Sequence, residues 1–133
     1  YNIINSETYD GFQFHYKSLD KNFKLYAISG IIEYSNSDIQ KCHKKINKIY
    51  SEIKNMFPNA ESEEEILYDH PSDQKGDSKV FESNFVLDDG SEIKLQCTKW
   101  SKEMQSEHNW FSHLRIAVTT KEFLDWLDEV YYN

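Results

Sequence analysis

The chain has 133 residues, of which 38% are hydrophobic and 15% aromatic, enough for one domain around one core and too much apolar material for a disordered chain. Its formal net charge of −8 repels phosphate backbones and anionic headgroups over most of the surface, which excludes nucleic acid and membrane as default partners. No apolar run reaches the roughly 20 residues that a membrane-spanning helix needs.

In "GFQFHYK", Phe12, Phe14 and Tyr16 alternate with Gln13 and His15, the period of a half-buried strand. "SLDKN" reads as a turn. From Phe23 to Tyr34 both parities are apolar or aromatic, which predicts a central strand with Gly30 as a bulge or close-packing point. "SNSD" then supplies capping residues for a helix on which Ile39, Cys42, Ile46, Ile49 and Ile53 recur at steps of three and four. Pro58 should end that helix near Phe57.

The next stretch, "NAESEEEILYDHPSDQKGDS", holds clustered acids, Pro71 and Gly76 without a sustained period, and it reads as a long solvated connection with room for a short ordered piece at Ile66 to Tyr68. Two strands follow, around 78–87 and 91–100. A two-residue turn between them would put their apolar rows on opposite faces. A three-residue loop, Asp88-Asp89-Gly90, instead sets Phe85 opposite Ile93 and Phe81 opposite Cys97. "SKEMQSEHN" reads as an exposed connection, and Leu114, Ile116 and Val118 mark the last strand. Thr119 and Glu122 have capping-box spacing, and Phe123, Trp126, Leu127 and Val130 give a short terminal helix its buried stripe. The whole, 1–133, is expected to be a single two-layer α+β domain. Its antiparallel sheet would have four to five strands, with one long helix on a face and a short C-terminal helix.

Cys42 lies on the predicted buried stripe of the helix and Cys97 on the face that the helix should cover. The two readings are a disulfide, which favours a periplasmic or secreted location, and two buried thiols, which would suit the cytoplasm. A first residue of Tyr rather than Met admits either a trimmed boundary or a cleaved export signal.

His15, His43, His70, His108 and His113 form no metal-binding spacing, and no phosphate loop, nucleophile elbow or redox Cys pair appears, so the sequence implies neither metal nor cofactor. Lys41, Lys44, Lys45 and Lys48 read as the solvated face of the helix or as a dock for an anionic partner.

The aromatic surplus carries the functional expectation. With Phe81, Phe85, Phe123 and Trp126 in the core, Trp100, Trp110, Phe111 and Tyr131 remain to contact a protein, peptide or sugar, unless Trp100 packs under the terminal helix. An exported, non-enzymatic binding domain is therefore the first reading. A small enzyme using His15, His108 or His113 in a cleft between helix and sheet is the second. A homodimer joined through a sheet edge or the aromatic face is the third.

Overall fold

The apolar spacing from Ile39 to Ile53 does form a helix. In the computed structural model, which describes residues 8–19, 21–22 and 24–132, a 3₁₀ turn at Asn36–Asp38 leads into α1 (Ile39–Met56). Ile39, Cys42 and Ile46 are buried along its inner side. The Phe57 amide donates to the Ile53 carbonyl at 2.9 Å, and Pro58 stops the helix there.

Six strands, rather than four to five, make the sheet: β1 (Gly11–Tyr16), β2 (Leu25–Glu33), β3 (Glu61–Asp69), β4 (Lys79–Val86), β5 (Glu92–Lys99) and β6 (His113–Thr119). They lie in the order β1-β2-β6-β5-β4-β3, and every neighbouring pair is antiparallel. The additional strand is β3, where a solvated connection was expected. It runs along the sheet edge with one neighbour, so its acids stay in water and no alternating pattern is required of them. Glu65 takes a left-handed φ of 57° where the β3–β4 register shifts, and a bulged, acidic edge resists pairing with another chain.

The β4–β5 hairpin has the three-residue loop. Phe85 pairs with Ile93 and Phe81 with Cys97, the Leu87 amide reaches the Ser91 carbonyl at 2.8 Å, and Gly90 turns the chain with φ 83°. That register places Phe85, Ile93, Leu95, Cys97 and Leu114 together under α1 as the buried core. Cys42 and Cys97, 55 positions apart in sequence, are joined by a disulfide with their Cα atoms 6.1 Å apart. Their burial makes this staple part of the core.

α2 (Lys102–His108) follows β5 and is tied to the turn before α1, where Asn36 Nδ2 donates to Gln105 Oε1 at 3.3 Å, and α3 (Lys121–Tyr132) meets the opposite face of the sheet along β2. α2 occupies the segment expected to be an exposed connection. Only Met104 of its seven residues is buried, so it has no apolar period to read. The terminal helix also departs from expectation. Thr119 is the last residue of β6, and it is Thr120 Oγ1 that accepts from the Phe123 amide at 3.3 Å, while Glu122 pairs with Lys24 at 3.2 Å. Trp126 is 49% exposed because α3 meets the sheet chiefly along β2, with Phe123 against His15 at the sheet's outer edge. No helix among the described residues is long and apolar enough to cross a membrane.

Candidate functional site

The site begins where β5 ends. Trp100 has the parity of Thr98, so its side chain falls on the face away from α1. Both of its backbone groups are held: its amide donates to Ser112 Oγ at 3.0 Å and its carbonyl accepts from Asn36 Nδ2 at 2.9 Å. Ser112 in turn donates to Asn36 Oδ1 at 2.5 Å. Trp100 is thus fixed as a floor, 7% exposed, by a polar ring that joins the start of α1 to the start of β6.

α2 then lifts the chain over that floor. Ser101 caps it by accepting from the Met104 amide at 3.2 Å, and Asn109 ends it in the left-handed conformation (φ 56°), a position that Asn tolerates better than most residues. The turn delivers Trp110 onto Trp100 with ring centroids 4.6 Å apart, and His108 stacks on the far side of Trp110 at 4.2 Å. His70, from the β3–β4 connection, packs on Trp100 at 4.3 Å. The four rings form a ladder from buried to open.

Beside the ladder lies a shallow depression of about 340 Å³ lined by Ile31, Glu33, Trp100, Asn109, Trp110, Phe111 and His113. Trp110 and Phe111 stay 37% and 57% exposed there. Glu33, Asn109 and His113 supply polar groups at an otherwise apolar wall, the usual composition of a small-ligand site. The His113 ring is oriented by its Nδ1, 2.8 Å from the Phe111 carbonyl.

Electrostatics around the ladder are set by burial. His70 has its pKa lowered by burial and secondarily by nearby His113, and its Nδ1 accepts from the Ser72 amide at 3.1 Å, which suits a neutral ring. In the same connection the Ser78 hydroxyl donates to Asp73 at 2.6 Å and holds that carboxyl below the usual range. Further across the face, Glu82 is buried and accepts from Tyr68 at 2.9 Å, Gln96 at 2.8 Å and Asn84 at 3.1 Å. Burial, and next the bond to Glu82, push the Tyr68 phenol up to about 12.

Of the residues expected to bind, Trp100, Trp110 and Phe111 converge on the depression. Tyr131 belongs to α3, and its side chain lies outside the described residues. The expectation that Trp100 packs under the terminal helix is replaced by packing under Trp110 and His70. His108 and His113 both reach the aromatic site, whereas His15 sits against Phe123. His43 stacks on Phe81 at 4.4 Å on the helix side, with its pKa lowered by burial and by Lys99. Lys41, Lys44 and Lys48 face solvent on α1, with Lys41 paired to Asp38 at 3.2 Å.

Sequence reasoning missed Ile31, Glu33, Asn109 and His70. The one local signal was Asn109, whose αL tendency follows a serine cap and seven helical residues. The other three enter through strand pairing and a long connection, which leave no local trace. Among the described residues no group of three or more His, Cys, Asp or Glu side chains is placed to hold a metal. Compared with known proteins, no family model matches the chain, and neither a curated protein nor a solved structure matches it significantly.

Proposed function

We propose that the chain is an exported, non-enzymatic binding domain that captures a ring-bearing ligand, a sugar or an aromatic group, in the depression beside Trp110. The observation that carries this reading is the pairing of a fixed, buried Trp100 with a half-open Trp110 and an open Phe111. A rigid aromatic surface gains contact area at small entropic cost, and the rim groups of Glu33, Asn109 and His113 orient what stacks on it. The Cys42–Cys97 disulfide supports export, because such bonds persist in oxidising compartments. Against the enzyme reading, His15 stands apart from His108 and His113.

The test is a titration of intrinsic tryptophan fluorescence with a panel of saccharides and short aromatic peptides, on the native chain and on Trp110→Ala. A saturable change in the native chain that weakens about tenfold or more in the variant, with an unchanged far-UV spectrum, supports the reading. No saturable change with any of the panel would sink it.

A second reading has its own observation. Phe14, Ile28 and Val118 form a cross-strand row on the α1 side, all three exposed because α1 packs on β4, β5 and β6. An apolar row next to the β1 edge suits a homodimer. Light scattering that gives the mass of one chain across a wide concentration range would reject this alternative.

A further inference from the structure

Two side-chain polar atoms among the described residues are sealed from solvent and bonded to nothing in the protein: Arg115 Nε and Ser29 Oγ. They are neighbours. On the outer face Arg115 stands opposite Ile31, and Ser29 stands opposite Ala117, so the two lie diagonally across β6 and β2. Arg115 is also the only arginine of the chain. Among the described residues it joins no ion pair. Glu33, the acid diagonal to it on β2, forms no ion pair with it, and two further polar neighbours are engaged elsewhere. Gln96, its cross-strand neighbour on the other side, donates to Tyr68 and Glu82, and Glu92 pairs with Lys94 at 3.1 Å. Burial lowers the Arg115 pKa without a compensating charge. A part-buried cation lacking a partner is costly, and an incoming anion removes that cost.

Arg115 adjoins the aromatic depression. Ile31, directly opposite it, and His113, two residues before it on the same face, both line that depression. We propose that Arg115 is the anion-recognising residue of this site, and that the ligand is a monocarboxylate carried on a ring: the carboxylate meets the guanidinium while the ring stacks on Trp110 and Phe111. The inference rests on the depression being a binding site. A guanidinium offers parallel N–H donors that match a planar carboxylate. Glu33 on the rim and Glu82 in the same region of the face repel a second negative charge, so a carboxylate is favoured over a phosphate dianion.

One arginine means one side-chain Nε–H signal in an amide-type NMR spectrum of the 15N-labelled chain. Phenylacetate, phenylacetamide and inorganic phosphate are titrated in turn, following that signal and the indole N–H of Trp110. Phenylacetate is expected to move both signals with one Kd, and the uncharged amide to bind about tenfold more weakly. In Arg115→Gln the acid should fall to the affinity of the amide while the Trp110 response to the amide persists. Arg115→Lys, which keeps the charge, should lie between. Equal affinities for acid and amide, with only Trp110 moving, would overturn the anion subsite and leave the depression as a binding site. Phosphate binding at Arg115 as tightly as phenylacetate would overturn the carboxylate assignment. If neither signal moves with any probe, both this inference and the depression reading fail.

Discussion

The two faces of one sheet are built by opposite rules. Under α1, Phe85, Leu95, Leu114 and both cysteines are buried almost completely, and the contacts are apolar or covalent. On the other face the buried groups include Glu82, Ser29 and Thr98; Glu82 is held by hydrogen bonds from the Tyr68 and Gln96 side chains, whereas Ser29 Oγ has no partner. The helix face therefore resists unfolding through burial and a constrained unfolded chain, while the outer face holds polar groups at fixed positions, some of them unsatisfied. The stabilising core and the proposed recognition surface lie on different sides of the same strands. Residues adjacent in sequence, such as Cys97 and Thr98, serve different sides.

The largest effect should come from the staple. Replacing Cys42 and Cys97 together by Ala removes a cross-link closing 55 residues and should cost about 4 kcal/mol, read from guanidinium unfolding curves. Because the loss acts mainly on the unfolded chain, the folded variant should keep the native fluorescence of Trp100 and Trp110. A changed native spectrum would mean that the two faces are not independent.

Breaking the outer face should cost less. Glu82→Ala strands the donors of Tyr68, Asn84 and Gln96, and a loss of about 2 kcal/mol is expected in the same assay. A variant as stable as the native chain would show that water replaces the carboxylate freely and that this face is not ordered by it.

The smallest effect is a pH dependence that both faces share. His43 on the helix side and His70 on the outer side have pKa values lowered from 6.5, chiefly by burial. The unfolded chain then takes up protons at a higher pH than the folded one. Stability should be unaffected by these groups well above 6.5 and should fall as the pH drops through the window below it. Urea midpoints at a series of pH values should show this slope, and His43→Phe and His70→Phe, which keep a ring on Phe81 and on Trp100, should each flatten it. A slope unchanged in both variants would assign the acid sensitivity to the carboxylates.

Much of the helix face was legible without coordinates. The recurrence of Ile39, Cys42, Ile46 and Ile53, the stop at Pro58 and the Asp88-Asp89-Gly90 loop are local, and parity alone then placed Cys97 where a helix at Cys42 could reach it. The site was legible only as a surplus of rings. Trp100, Trp110 and Phe111 could be named, but not their floor-and-wall arrangement, because it depends on α2, a helix with a single buried residue, and on Asn36 crossing from the start of α1.

By itself the sequence determined periodicity, parity and turn length, because those depend on neighbours within a few residues of the chain. Tertiary structure alone decided that an acidic stretch becomes the edge strand β3, that Thr120 rather than Thr119 caps α3, and that Ile31, paired with Arg115, lines a depression with Trp110. The reason is physical: an edge strand and a depression draw their order from partners in distant segments, such as β4 for β3 and β2 for β6, and no residue need advertise locally a partner that only folding supplies.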